Sequence, residues 1–101
     1  MSGVRRLSGV QRKILFHLAM ASPLHGFAIA SELGLSTATV YPTLHRMEES
    51  GLISSTMELG DPASLRRALR RLYQLTDDGS RVAAMLPADT AVASGRRLRW
   101  A

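Results

Sequence analysis

Three short segments with a helical spacing of apolar residues follow one another between residues 9 and 50, and only very short connections separate them. The first covers about residues 9 to 21, the second is "GFAIASEL", and the third runs from Ser36 to the residue before Gly51. Apolar side chains that recur every three or four residues form one face of a helix, which is buried against another element. Three such helices in close succession are the frame of a helix-turn-helix domain.

Capping residues support these three helices. Ser8 followed by Gln11 fits a capping box, Gly34 closes the second helix, and Ser36 can cap the third. The inner positions that we predict are Val10, Ile14, Leu15 and Leu18 in the first helix, Phe27, Ile29, Ala30 and Leu33 in the second, and Val40, Leu44 and Met47 in the third.

Pro42 lies inside the third predicted helix, where a proline costs about 3 kcal/mol because it removes a backbone hydrogen bond. With Val40 and Leu44 turned inward, Pro42 falls on the outward face. The carbonyl of Ala38, which loses its donor, can then turn toward solvent. We therefore predict that the helix bends or loosens about Ala38 to Pro42.

The segment after the third helix predicts a pair of strands. "LISSTMEL" is rich in hydroxyl and β-branched residues, and "GDP" is a turn signal. "ASLRRALRRLYQLT" is ambiguous, because Arg71, Tyr73 and Leu75 alternate as in a strand. The alternative is a helix through three leucines at helical spacing, Leu65, Leu69 and Leu72. We favour a basic loop through about residue 69 and a strand over 70–75, because the first strand needs a partner.

A fourth helix follows the second strand. Thr76 can cap it, and Asp77 and Asp78 would lie in its first turn, where carboxylates stabilise a helix. Pro87 would end it. The inner positions that we predict for this helix are Val82, Met85 and Leu86. The predicted fold is therefore mainly α with a small β-hairpin (α+β), in the order ααα-β-wing-β-α.

Length and composition predict one domain. The chain has 101 residues, of which 46% are hydrophobic, enough for a single core. We divide it into a basic N-terminal arm over 1–7, a domain over 8–86 and a short C-terminal segment over 87–101. No apolar run is long enough for a membrane span or a secretory signal, so we expect a cytoplasmic protein without a membrane partner.

The residue types argue against catalysis and metal binding. Cysteine is absent, which excludes disulfides, a thiol nucleophile and zinc sites built on thiolates. His17, His25 and His45 share no metal-ligand spacing, so we predict no metal and no cofactor. We expect His17 at the surface or rim of the first helix, and His25 capping the second helix or packing beside it. No nucleophile lies beside a base in a recognisable motif.

The charge of the chain favours a polyanionic partner. Thirteen Lys and Arg residues against eight Asp and Glu residues give a net charge of +5, and twelve of the thirteen are arginine, whose planar fork suits phosphates and guanine edges. The clusters are Arg5, Arg6, Arg12 and Lys13 near the start, Arg66, Arg67, Arg70 and Arg71 in the middle, and Arg96, Arg97 and Arg99 near the end. A single cluster of this kind is often only a solvated face, but three with a strong excess favour nucleic acid.

Several motifs resemble those of one family. "SPLHGFAIASELGLSTATVYPTLHRMEESGLI", residues 22–53, and "RRLYQLTDDG", residues 70–79, are similar to the PadR family of bacterial transcriptional regulators. The resemblance covers about residues 8–86, and Leu72 stands where the family pattern has an aromatic residue. It implies a dimer that binds operator DNA, with the third helix in the major groove and the wing over the adjacent backbone. Blocking polymerase requires only that the protein occupies its site on the DNA, so we expect a repressor and not an activator.

The outward face of the third helix and the wing supply the candidate DNA-binding residues. Small side chains at the start of the helix allow close approach to base edges, and the Tyr41 hydroxyl is suited to a phosphate. His45 and Arg46 lie one turn later. The helix candidates are Ser36, Thr37, Ala38, Thr39, Tyr41, Pro42, His45 and Arg46. By the resemblance, the wing candidates for contacts with the DNA backbone are Arg66, Arg67, Arg70 and Arg71. The alternative for "RRALRR" is a basic amphipathic helix on a membrane or a partner.

The sequence predicts dimerisation but leaves its interface open. A single winged helix contacts few base pairs, so we expect a homodimer on double-stranded DNA. The first helix with the C-terminal segment is the candidate interface, and its predicted anchors are Leu86, Leu98 and Trp100. The alternative is that "GRRLRWA" is a basic tail. Without a sizeable second domain in this sequence we do not expect a dedicated pocket for a small-molecule effector, and the alternative is a cavity between the subunits. The alternative functions are a protein-interaction winged helix and nonspecific architectural DNA binding.

Overall fold

The computed structural model describes residues 7–87. Within them it has five helices and three strands. In chain order these are α1 (Gly9–Met20), β1 (Leu24–His25), α2 (Gly26–Leu33), α3 (Thr37–Glu49), β2 (Ile53–Met57), α4 (Pro62–Leu65), β3 (Arg71–Leu75) and α5 (Asp77–Ala84). The predicted order of a winged helix is confirmed. Residues 1–6 of the N-terminal arm, and Leu98 and Trp100, lie outside the described residues.

The first three helices enclose the core as their apolar spacing predicts. The buried residues are Ile14, Leu15 and Leu18 of α1, Ile29, Ala30 and Leu33 of α2, and Val40, Leu44 and Met47 of α3, with Ile53 of β2 and Tyr73 of β3. Val10 packs against this core from its edge. The Ser8 hydroxyl accepts a hydrogen bond from the Gln11 backbone N–H (3.1 Å), and the Gln11 side chain accepts one from the Ser8 N–H (2.9 Å), so the predicted capping box is present.

Phe27 was predicted as an inner residue of α2, and this prediction is wrong: its side chain is 62% exposed. The buried Ile29 comes two positions later in the chain, which places Phe27 about 200° around the helix from the core. Its ring instead stacks on His25, with the ring centroids 6.5 Å apart. His25 occupies the N-cap position of α2 without a side-chain capping bond, so it packs beside the helix, the second of its two predicted roles.

The predicted hairpin is part of a three-stranded antiparallel sheet with the order β1-β3-β2. Strands β2 and β3 pair from Ile53 opposite Leu75 to Met57 opposite Arg71. Strand β1, which the sequence did not predict, adds Leu24 opposite Tyr73 and His25 opposite Leu72. A two-residue strand has no periodicity of its own and forms only because β3 offers a free edge.

The basic loop of the wing contains a helical turn that the sequence prediction missed. Asp61 caps α4 by accepting a hydrogen bond from the Ala63 N–H (3.1 Å), and Pro62 occupies the first helical position. "DP" is therefore a helix start here, because a proline at this position loses no helical hydrogen bond. Arg66 ends the turn in the left-handed conformation with φ 60°.

Helix α5 begins after the predicted cap, Thr76, but ends before two of its three predicted inner residues, Met85 and Leu86. Thr76 accepts a hydrogen bond from the Gly79 N–H (3.0 Å) and donates one to the Gly51 carbonyl (2.6 Å). The helix ends at Ala84, so Met85 leaves the helical phase and is 64% exposed, contrary to the prediction. Val82 and Leu86 do pack against the core.

His17 was expected at the surface or rim of α1, but it is buried, with 7% of its surface exposed. Its Nε2 lies 2.5 Å from Oε1 of Glu32 on α2, so this hydrogen bond joins the two helices. Burial of a polar side chain is tolerated where it has a partner of this kind. No helix within residues 7–87 is long and apolar enough to cross a membrane.

Candidate nucleic-acid interface

Helix α3 presents a continuous exposed face. Its candidate residues, the cap included, all lie at the surface, namely Ser36, Thr37, Ala38, Thr39, Tyr41, Pro42, His45 and Arg46. The Ser36 hydroxyl accepts a hydrogen bond from the Thr39 N–H (3.1 Å) and donates one to Thr39 Oγ1 (3.0 Å). These two hydroxyls therefore fix the start of the helix, and Thr37 and Ala38 are exposed beside them.

Helix α3 continues through Pro42 without a break from Thr37 to Glu49, and Pro42 is exposed as its phase predicts. The next residue, Thr43, is buried, and its hydroxyl donates to the Thr39 carbonyl (2.8 Å). The Thr39 carbonyl thus has a side-chain donor. It lies next to the Ala38 carbonyl, which lacks its backbone donor because Pro42 has no N–H. The predicted bend of the helix stays a prediction.

Tyr41 joins α3 to the start of α2. Its side chain is 46% exposed, and its ring lies so close to Gly26 that a Cβ atom there would be 2.5 Å from the ring. Atoms at that separation overlap, so a larger residue at this position would displace the Tyr41 ring. The predicted position of Tyr41, half against the domain with its hydroxyl at the margin, agrees with this packing. The partner, Gly26, was missed, although "LHGF" contained it.

His45 and Glu49 form an exposed pair one turn apart on α3, with His45 Nε2 3.3 Å from Glu49 Oε2. Both side chains are about two-thirds or more exposed, so the pair contributes little to folding. The His45 ring is held over the outer face of the helix next to Arg46, where both remain accessible to a ligand.

The four wing arginines have different environments. Arg66 and Arg70 are exposed, and within residues 7–87 their guanidinium groups form no ion pair. Arg67 is partly buried and forms a two-pronged ion pair with Glu58, at 2.7 Å from Nη1 to Oε1 and 2.9 Å from Nη2 to Oε2. This pair, with a backbone N–H of Arg70, lowers the pKa of Glu58 to about 2, and hydrogen bonding to Glu58 raises the pKa of Arg67.

Arg71 belongs to a chain of hydrogen bonds that joins the wing to α3. Its Nη1 donates to the Ser55 hydroxyl (3.0 Å), which in turn donates to Oε2 of Glu48 (2.8 Å). Tyr73 lies beside this chain in the sheet, and burial, together with Glu48, raises its pKa. The sequence did not indicate Glu48 or Ser55, because the link depends on how β2 packs against α3.

A groove of about 420 Å³ lies between the wing and the start of α2. Its lining includes His25, Phe27, Tyr41, Arg67, Arg70 and Arg71. Three arginines and no carboxylate belong to this lining. Burial first, and then the charges of Arg70 and Arg67, lower the pKa of His25. The groove therefore brings Tyr41 of α3 and the arginines of the wing to one surface, although 25 or more residues separate them in the chain.

The remaining candidates lie away from this surface or outside the described residues. Leu86 packs against the core from the end of the domain. Leu98 and Trp100, the other predicted dimer anchors, fall among the residues that the structure does not describe. Within residues 7–87, no group of three or more His, Asp or Glu side chains is arranged to hold a metal ion.

Comparison with known proteins shows that the chain is similar to transcriptional regulators. Residues 14–85 match the model of the transcriptional regulator PadR-like family. A curated relative, transcriptional regulator Rv3488 of Mycobacterium tuberculosis, is 34% identical over 70 residues, which is 64% of this chain and 61% of that protein. The chain thus spans about three fifths of the length of this relative.

Two solved structures have the same fold. Wild-type ZitR of Lactococcus lactis in complex with DNA is 25% identical, with a TM-score of 0.64 over 94% of this chain and 57% of ZitR. PadR of Bacillus subtilis in complex with operator DNA is 23% identical, with a TM-score of 0.59 over 74% of this chain and 44% of PadR.

Proposed function

The chain belongs to the PadR-like family of transcriptional regulators, and from this premise we propose that it binds double-stranded DNA sequence-specifically and represses transcription. The family consists of transcriptional regulators and not of enzymes. Helix α3 enters the major groove, and the wing lies on the adjacent backbone. The observation that carries this proposal is the groove that brings Tyr41 of α3 to one surface with Arg67, Arg70 and Arg71 of the wing.

The two parts of this surface have different tasks. Ala38, Thr39 and His45 face outward on α3 and are suited to base edges, as methyl, hydroxyl and imidazole groups. Arg66 and Arg70 are exposed on the wing and are suited to phosphates. Phosphate contacts set the position of the protein, and base contacts select the sequence.

We further propose that the protein acts in the cytoplasm as a homodimer. Helices α1 and α5 pack together, and a groove of about 450 Å³ lined by Phe16, Ala19 and Ala83 lies between them. Exposed Met20 ends α1, and exposed Met85 directly follows the end of α5. Apolar surface of this kind favours a second copy of the chain. Leu86, Leu98 and Trp100 remain the proposed anchors.

Selection of bound sequences from random duplex DNA tests the function. The wild-type chain should enrich one motif, and its affinity should fall with salt with a log-log slope of about −0.9 for each phosphate neutralised. Equal affinity for unrelated duplexes would favour the architectural alternative. No binding, with a discrete complex with an acidic protein, would favour the protein-interaction alternative.

Two variants separate the two tasks in the same selection. Arg66→Ala combined with Arg70→Ala should weaken all sequences alike and reduce the salt slope by about 2, since each phosphate contact contributes about 1. His45→Ala should alter the selected motif. If the motif is unchanged, His45 does not contact bases.

A further inference from the structure

Glu58 is an acidic residue at the base of a wing that carries four arginines, Arg66, Arg67, Arg70 and Arg71. Its carboxylate accepts three hydrogen bonds, from Nη1 and Nη2 of Arg67 and from the backbone N–H of Arg70 (3.1 Å). The backbone N–H of Glu58 donates to the Arg70 carbonyl (2.7 Å). Glu58 and Arg70 therefore close the neck of the loop through both backbone and side chain.

The loop beyond this neck is also fixed through Arg67. Its backbone N–H donates to the Pro62 carbonyl (3.2 Å), and its Nη1 reaches the Ala68 carbonyl (3.2 Å) as well as Glu58. Arg67 thus joins α4, the following loop and the end of β2. Arg66, its neighbour in the left-handed conformation, projects from this fixed point.

The charges of this pair are unusual for a surface that binds phosphates. A carboxylate near the DNA backbone repels it, and it neutralises one of the few cations of the wing. The Glu58 side chain is 23% exposed and the Arg67 side chain 32%, so both are partly withdrawn from solvent. Three of the five N–H donors of Arg67 are in use, two toward Glu58 and one toward the Ala68 carbonyl, and the carboxylate balances its charge, so Arg67 attracts a phosphate less than an unpaired arginine does.

We propose that Glu58 is a positioning residue for DNA binding: it holds Arg67 and the Arg70 backbone, so that the wing presents Arg66 and Arg70 to phosphates. Arg67 is then a structural member of the wing and does not bind phosphate. This inference rests on the proposed function. It revises the role of Arg67 that the family resemblance implies.

The test compares Glu58→Gln, Arg67→Met and the double variant in the full chain, with the operator motif selected by the wild type. Glu58→Gln adds a net positive charge, so simple electrostatics predicts tighter binding. If Glu58 positions the wing, binding is instead about tenfold weaker, as expected when the binding arrangement is populated a tenth of the time. The salt slope should also decrease by about 1 for each phosphate that the wing no longer binds.

The double variant and a control complete the design. Arg67→Met should weaken binding as much as Glu58→Gln, and the double variant should be no worse than either, because both changes disrupt the same interaction. Asp77→Asn makes the same charge change on α5, outside the wing, and should bind DNA at least as tightly as the wild type. Thermal unfolding midpoints close to the wild type will show that the variants fold. If Glu58→Gln does not fold, Arg67→Lys decides: it keeps the positive charge but cannot form the two-pronged pair with Glu58, so it should bind as weakly as Arg67→Met. Arg67→Lys binding as tightly as the wild type would overturn the inference.

Opposite changes in DNA affinity in the two single variants would overturn the inference. If Glu58→Gln binds more tightly than the wild type while Arg67→Met binds more weakly, then Arg67 contacts phosphate and Glu58 restrains it. In that case specific binding by the wild type remains, and only the positioning role fails. Absence of specific, salt-dependent binding in the wild type would instead overturn the proposed function itself.

Discussion

At the scale of single residues, two glycines mark the closest approaches of the domain. Gly26 leaves room for the Tyr41 ring, and a Cβ atom at Gly79 would overlap the carbonyl oxygen of Leu52. That carbonyl also accepts the backbone hydrogen bond of Thr76, so it cannot easily move. A side chain yields more readily than a hydrogen-bonded backbone, which makes Gly79 the less tolerant of the two positions.

We therefore predict that Gly79→Ala lowers the free energy of unfolding by about 1–3 kcal/mol, the usual cost of overpacking. The matched control is Gly9→Ala at the start of α1, where an added Cβ meets nothing within 4 Å. It should be neutral or should stabilise the domain by up to about 1 kcal/mol. Urea unfolding of both variants measures the difference, and equal midpoints would show that α5 shifts freely on Leu52.

The Glu58 carboxyl gives a prediction about pH. Its pKa lies at about 2 instead of 4.5, because Arg67 and the Arg70 N–H favour the charged form. A pKa lowered on folding stabilises the wing above about pH 4.5, and this contribution is lost as the pH falls toward 2.

We expect the Glu58 side-chain carbon to titrate near pH 2 in the NMR spectrum of the wild type. In Arg67→Met the midpoint should rise toward 4.5, because the first cause of the lowering is removed. A Glu58 midpoint that is the same in both proteins would mean that the ion pair is not formed in solution.

At the scale of elements, the spacing of residue types predicted the helices and strands that depend on the sequence of one segment alone. Helices α1, α2, α3 and α5 and the pair β2 and β3 were found within one or two residues of their predicted positions. Strand β1 was missed, because its two residues are extended only through pairing with β3. The burial of His17 was missed for a similar reason: its partner Glu32 lies on another helix. The sequence also named the exposed face of α3, but not the contacts of Glu58 or Ser55, which depend on how the elements meet.

Helix α3 provides the prediction at this scale. Pro42 removes a backbone donor in mid-helix, so Pro42→Ala should restore the bond to Ala38 and stabilise the domain by up to about 3 kcal/mol. Because the first turn of α3 would then be straighter and stiffer, we expect weaker operator binding in spite of the higher stability. Thermal unfolding and operator affinity measure the two effects separately.

The control for this change is Pro62→Ala in thermal unfolding. Pro62 occupies the first position of α4, where a missing N–H costs no helical hydrogen bond. Its replacement should therefore give no comparable gain in stability. If Pro42→Ala is more stable and binds the operator as well as the wild type, the proline is a tolerated irregularity without a role in recognition.

At the scale of the whole molecule, recognition depends on charge and symmetry. A net charge of +5 on 101 residues attracts any duplex, so charge alone cannot select a site. Helix α3 has 13 residues, and its outward face reaches only a few base pairs. Useful specificity therefore requires two copies of α3 on one site, which connects the proposed dimer directly to function.

We predict that the selected operator is an inverted repeat whose half-site centres lie about 10 base pairs apart, one turn of the duplex. The two-fold axis of a homodimer imposes this symmetry on the DNA, because identical helices read identical half-sites in opposite directions. Analytical ultracentrifugation should find two chains on each operator, and scrambling one half-site should abolish high-affinity binding. A full-affinity complex of one chain with a single half-site would instead mean that α3 and the wing suffice alone and that the dimer has no part in recognition.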